Sequence, residues 1–179
     1  GDPDPVLDGK SLVPVLLGGA GEHKEHVFGE MTTRGIINGS DTFGIRSIRS
    51  RRFKYIWNFT PEIQFKNACT KNEIFQSWIT RAADDPDAAD KVRRYQHRPG
   101  EELFDITQDP FEWHNLADDS QYAEVKAELK SRLLAWMDAM GDRGQATELE
   151  ALDHQTRALR HKTKPERKKQ GTRARRKKP

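Results

Sequence analysis

The sequence predicts an α+β fold: a small antiparallel sheet of about four strands packed against one long helix near the C-terminus, with a disordered basic tail beyond it. Three observations carry the prediction. Phe53, Tyr55 and Trp57 alternate through "RFKYIWN" (52–58), the period of two of a strand. Tyr122, Val125, Leu129, Leu133, Trp136 and Met140 recur at steps of three or four, the stripe of an amphipathic helix. Residues 160–179 hold eleven Lys or Arg against one Glu with almost no apolar side chain, so they cannot bury enough surface to fold.

The elements follow in order. "GDPDPVLDGKSLVPVLLGG" reads as loop, one helical turn and loop, because Pro and Gly break longer structure. A first strand is expected near 25–31 ("EHVFGEM"), followed by a polar loop, "TTRGIINGSDT". "FGIRSIRS" (43–50) and "RFKYIWN" then make a hairpin. "EIFQSWITRAA" (73–83) places Ile74, Trp78 and Ile79 near helical spacing, and Pro86 suits the first turn of a second helix over 86–96. "EELFDI" returns to strand. The long helix spans 120–140, with Asp119 or Ser120 as its N-cap and Gly141 past its end. A weaker helix is expected over 146–159, opened by Thr147 and Glu150 at capping-box spacing and carrying Leu149, Leu152 and Leu159.

Composition sets bounds on function. The apolar share is 34%, and even with glycine added it falls short of the roughly 45–50% of ordinary globular chains. A modest core of this kind gains from packing on something larger. No stretch is long and apolar enough to span a bilayer. The net charge of +3 conceals an acidic body and the basic tail. The tail reads as a solvated terminus, with contact to a polyanion or nucleic acid as its functional alternative. The single cysteine, Cys69, excludes an internal disulfide framework and a multi-cysteine zinc cluster, and is expected to be a buried apolar residue. The chain starts at Gly1 without a secretory segment, so any targeting signal is absent or lies upstream.

The chemistry-bearing residues do not match a common catalytic pattern: there is no P-loop, no G-x-S-x-G and no H-E-x-x-H. The acidic stretch "ELFDITQDPFEWHNLADD" (102–119) fails as an EF-hand starting at Asp105, since Pro110 stands where Gly is needed and Leu116 where a bidentate Glu is needed. Local turn and cap hydrogen bonds account for it. Arg46, Arg49, Arg51, Arg52 and Lys54 could hold an anion, but the plainer reading is a charged, solvated outer face of the hairpin. "GEMTTRG" delivers a carboxylate, two hydroxyls and a guanidinium from a strand end into a loop, a mixture suited to a polyhydroxylated, charged ligand as well as to plain solvation. The sequons at Asn38 and Asn58 would matter only in a eukaryotic secretory route.

Taken as an ordered set, "LDGKSLVPVLLG", "VFGEMTTRG", "FGIRSIRSRRFKYIWNFTPE" and "GEELFDITQDPFEWHNLADD" resemble the C-terminal part of the type I sulfatases, within the alkaline phosphatase-like superfamily. The likeness covers roughly residues 6–140, and the insertion with "EIFQSW" looks most like the heparan N-sulfatase branch. The resemblance implies a four-stranded sheet with a long helix across it, docked on a larger α/β domain. It implies hydrolysis of a sulfate ester or sulfamate, on a sulfated glycan, by a formylglycine hydrate beside Ca2+, in a periplasmic, secreted or lysosomal setting. Cys69 lacks the family's Pro or Ala two positions on and Arg four positions on. Nucleophile and calcium ligands are therefore expected upstream, with no catalytic or metal residue in this chain, which would be inactive alone.

On this reading residues 1–24 are a linker from a catalytic domain, 25–141 the C-terminal subdomain, 142–159 a weak helix and 160–179 the tail. Glu30, Thr32, Thr33 and Arg34 are the expected substrate contacts. The expected partners are the upstream catalytic domain and the sulfated glycan. The alternatives are a phosphoesterase of the same superfamily and a non-enzymatic polyanion- or nucleic-acid-binding module that uses the tail.

Overall fold

The computed structural model describes residues 9–19, 23–33, 39–40, 42–151 and 153. The expected tail (160–179), Arg34, Asn38, Leu152 and Leu159 lie outside the described residues. The elements are α1 (Val13–Leu16), β1 (Val27–Met31), β2 (Ile45–Arg49), β3 (Phe53–Asn58), α2 (Glu73–Arg81), α3 (Pro86–Gln96), β4 (Glu101–Asp105), α4 (Ala123–Ala139) and α5 (Gln145–Glu150). Single 3-10 turns precede α2 (Ala68–Lys71) and α4 (Ser120–Tyr122).

The strands form one antiparallel sheet in the order β1-β2-β3-β4. Its register aligns Phe28, Ile48, Tyr55 and Leu103 in a transverse row. Side chains alternate across a sheet, so this row shares a face, and α4 lies over it. Ile48, Tyr55 and Leu103 are buried there with Leu129, Leu133 and Met137, and Trp136 stacks on Phe28 with centroids 4.9 Å apart. Tyr55 donates to Glu101 Oε1 at 2.5 Å. Burial, then that carboxylate, push the Tyr55 phenol well above its usual range. The expected alternation of Phe53, Tyr55 and Trp57 toward this layer is observed.

One position of the helix stripe differs. Met140 is exposed and Met137 takes the inward place. The helix stops at Ala139, and Gly141 at φ 69° turns the chain back, bringing the Asp142 N–H to the Met137 carbonyl. Such a left-handed turn is where glycine is favoured.

The other face is covered as well. Phe43, Ile45, Ile56, Phe65 and Phe104 are buried against it. Tyr95 of α3 meets the Phe65 ring edge-on, and Phe75 of α2 lies 5.1 Å from Tyr95. Asn72 caps α2 through the Phe75 N–H, and Asp85 caps α3 ahead of Pro86. The α2 stripe is therefore corrected: Phe75 points inward, while Ile74, Trp78 and Ile79 are exposed. This helix has α3 on one side only, and the side facing Tyr95 decides what is buried.

Two further expectations change. Cys69 is exposed, in the 3-10 turn. The capping box of the last helix does not form. Gly144 is the N-cap, Thr147 lies within α5 and accepts from the Arg143 N–H, and the buried residue is Glu148 rather than Leu149. Asn58 is buried, its amide donating to Pro99 O and Glu102 Oε1, so it is no glycan acceptor in the folded chain.

Candidate substrate-facing edge

The residues expected to meet substrate leave the end of β1, an edge strand. In register, Glu30, Arg46, Trp57 and Glu101 form the transverse row beside the core row. Glu30 is exposed at the margin. Arg46, second in the row, does not serve as a free cation. It is 2% exposed, with Nε 2.5 Å from Asp142 and Nη2 2.8 Å from Glu148 Oε1, and its guanidinium lies over the Phe59 ring. Burial works against the charge, but the two carboxylates outweigh it and hold the Arg46 pKa above its ordinary value.

Past Met31 the two threonines part company. Thr33 is buried, and its hydroxyl donates to the Phe43 carbonyl at 3.1 Å and accepts from the Phe43 N–H at 2.9 Å. Both capacities are spent on closing the loop, so Thr33 positions the segment and offers nothing to a ligand. Thr32 is different: its Oγ1 is buried and has no hydrogen-bond partner among the described residues. The far end of the loop is fixed as firmly, since Ser40 bridges Gln64 O and the Lys66 N–H, and Thr60 donates to Thr42 O. Residues 34–38, Arg34 among them, join two anchored ends. Of the four expected contacts, Glu30 is exposed, Thr32 keeps a buried hydroxyl without a partner among the described residues, and Thr33 is committed to the Phe43 backbone.

The basic run divides: Arg46 is buried, while Arg49, Arg51 and Arg52 are exposed, as the plainer reading of a solvated face expects. Beside the buried Arg46, Arg52 pairs with Asp105 at 2.8 Å and Lys54 with Glu112 at 2.7 Å. The acidic stretch is scaffold, as expected. Asp105 Oδ1 accepts from the N–H groups of Thr107 and Gln108 and from the Thr107 hydroxyl. Asn115 Oδ1 accepts from Leu103 and Ala117, tying the loop to the outer edge of β4. Glu112, at φ 58°, turns the chain back while it holds Lys54.

Among the described residues no three His, Cys, Asp or Glu converge to hold a metal. The oxygens of Asp105 and Asp109 are turned to backbone donors, and Cys69 has Thr70, Lys71 and Asn72 after it. The described residues fit neither the calcium nor the formylglycine that the resemblance implies. No described helix is long and apolar enough to cross a membrane.

Known proteins give the same answer about ancestry. The chain is 36% identical over 137 residues to an ulvan-active sulfatase of Formosa agariphila. The chain belongs to the sulfatase family. The match takes in 76% of this chain and 25% of that relative. The human N-sulphoglucosamine sulphohydrolase is 29% identical over 134 residues, 73% of this chain and 26% of the relative. The branch expected from the insertion is therefore represented, at lower identity than the ulvan-active one. No family model matches the chain. A putative sulfatase from Bacteroides thetaiotaomicron shares the fold with TM-score 0.50 and 22% identity, over 79% of this chain and 22% of that one. The chain spans about a quarter of the length of the curated sulfatases it matches.

Proposed function

We propose that the whole protein hydrolyses sulfate esters or sulfamates on sulfated glycans, and that this chain completes its fold and lines the substrate pocket without performing the bond cleavage. The single observation that carries the reading is the similarity, over about three quarters of this chain, to two enzymes named for ulvan and N-sulphoglucosamine. The sheet supplies the physical role. A row anchored by Arg46 and a loop clamped at Thr33 hold Glu30 and the Thr32 hydroxyl at one margin, and Arg34 follows directly.

In that arrangement Glu30 accepts hydrogen bonds from sugar hydroxyls, Thr32 finds the partner it lacks, and the Arg34 fork matches a sulfate or carboxylate. In the whole protein a formylglycine hydrate would supply the attack on sulfur and Ca2+ the charge that binds the sulfate, and no described residue of this chain fits either group.

Sulfate release from sulfated oligosaccharides tests the reading. Arg34→Ala and Glu30→Ala in the full-length protein should raise KM or lower kcat/KM with the melting temperature unchanged. Unchanged kinetics would remove those residues, and calcium-dependent sulfate release by the purified 179-residue chain would overturn its supporting role.

A further inference from the structure

A concave surface lies away from the β1 margin. The α2–α3 hairpin and the loop after β4 enclose a groove of about 1090 Å³ over the sheet face opposite α4. Pockets for single small molecules run from about 300 to 1000 Å³, so this groove has room for several linked rings. Its floor is Tyr95, Phe104 and Glu102, and its rims carry Trp78 on α2 and Phe111 and Trp113 on the loop. Those rim aromatics are 45%, 79% and 44% exposed. The loop's scaffold residues Asp109, Glu112 and Asn115 are spent on hydrogen bonds and an ion pair, so Phe111 and Trp113 are what it presents outward.

Trp113 is held in place rather than loose. Arg94 donates from Nη1 to the Trp113 carbonyl at 2.6 Å and from Nε to Asp90 at 2.6 Å, with its guanidinium over the indole. The charge of the groove also departs from its surroundings. Residues 1–159 hold 20 Lys or Arg against 27 Asp or Glu, whereas five Lys or Arg and two His line the groove against four acids. The cations are steered by neighbours: Arg81 to Asp85, Lys91 to Asp87, Arg98 to Glu102. The Arg81 and Lys91 pairs are exposed and the Arg98 pair is half-buried, and each uses a fraction of a guanidinium's five donors or an ammonium's three. What remains is one held indole, Trp113, with the exposed rings of Trp78 and Phe111 beside it, flanked by cationic donors.

We propose that this groove binds a stretch of anionic polysaccharide, with sugar rings on Trp113 and Trp78 and sulfate or carboxylate groups at Arg81, Lys91 and Arg98, as an anchoring site separate from the β1 margin. It rests on the reading that the protein acts on sulfated glycans. The lining includes four acids and Lys91, groups in which the centres of protein interfaces are depleted, while its Arg and aromatic side chains suit either occupant. Amphipathic rings with flanking polar groups suit a ligand that has an apolar ring face and a charged, hydroxylated rim.

Calorimetric titration of the 179-residue chain with a heparin hexasaccharide, its desulfated form and cellohexaose tests this. Saturable binding of the sulfated probe is expected, with at least tenfold loss in Trp113→Ala and Trp78→Ala, both exposed positions whose folding is checked by circular dichroism. A variant with the Lys and Arg of 160–179 replaced by Gln should bind as before. No saturable binding overturns the proposal, as does binding that survives both Trp substitutions and disappears with the neutralised tail. So does protection of Trp113 from N-bromosuccinimide in the full-length protein without glycan, which would mean that polypeptide covers the groove. Sulfate release measured in parallel on a monosaccharide substrate separates the two readings. Release without groove binding overturns the anchor alone, and groove binding without release upholds the anchor while removing the hydrolytic role.

Discussion

Arg46 on β2 and Glu148 on α5 form a buried ion pair at 2.8 Å, each side chain about 2–3% exposed, with Asp142 completing a triad. Taking one partner from such a group strands a charge away from water, at about 3–5 kcal/mol. Arg46→Ala leaves two carboxylates facing each other and should cost near the top of that range. Glu148→Gln keeps the volume, leaves Asp142 with Arg46, and should cost about 1–3 kcal/mol. Urea unfolding checks both. Arg46→Ala within about 1 kcal/mol of the parent would show that the triad does not pin α5 to the sheet.

Much of this fold was legible, and the triad shows where legibility ends. The inward Tyr55 between Phe53 and Trp57 follows from alternation, and the inward Leu129 and Leu133 from helical spacing, because both patterns are local. Arg46 sits in a run of basic residues and reads as solvated; its burial depends on a helix 96 and more residues away folding back on it. Glu148, in "ATELE", gives no local sign of burial either. The same limit applies to the β1 margin. "GEMTTRG" shows which polar groups are present, but Thr33 is distinguished from Thr32 only by the return of Phe43. The reversal on α2, where Phe75 and not Trp78 points inward, depends on Tyr95 in the same way. The rings left outside on that helix became rims of a groove.

Thr32 and Thr33 make a paired prediction. Thr33→Val deletes the hydroxyl that serves both backbone groups of Phe43, leaving a buried N–H and a carbonyl short of partners, at about 1–3 kcal/mol. Thr32→Val removes a buried hydroxyl with no partner among the described residues and should be neutral or slightly stabilising in the isolated chain. In the full-length protein the same change should weaken substrate binding. Equal destabilisation by the two substitutions would remove the distinction between latch and open hydroxyl.

Gly44 precedes β2 where three elements meet. A Cβ there would lie 2.4 Å from Glu148 Cγ and 2.7 Å from Phe59 Cδ2. Glu148 is held by Arg46, and Phe59 by Trp57 edge-on at 4.9 Å, so neither side chain yields freely. Gly44→Ala should cost about 1–3 kcal/mol as overpacking. It should cost less in the Glu148→Ala background, where the closest atom is gone, and thermal melts of the double-mutant cycle would measure that coupling. Additive losses would show that α5 can move aside.

Acid sensitivity should trace to Asp105 at the end of β4. Burial alone would raise its pKa, but Arg52, the Thr107 hydroxyl and the N–H groups of Thr107 and Gln108 all bind the ionised form and bring it down to about 2. The unfolded value is about 3.9. A folded-state pKa below the unfolded one stabilises the fold fully above about pH 4, and that contribution drains away as the pH falls through about 2, where both states are protonated. Asp142 is shifted the same way: burial opposes its charge, but the Arg46 hydrogen bond and the Gly144 N–H prevail. Denaturant unfolding of the wild type should therefore weaken between pH 4 and pH 2. Asp105→Asn should be less stable than wild type at pH 7, lose less on acidification and approach wild type near pH 2. Parallel pH profiles for the two proteins would mean that the carboxylate's bonds to Arg52 and the turn are equally made in the unfolded chain, and that this corner contributes nothing to the acid response.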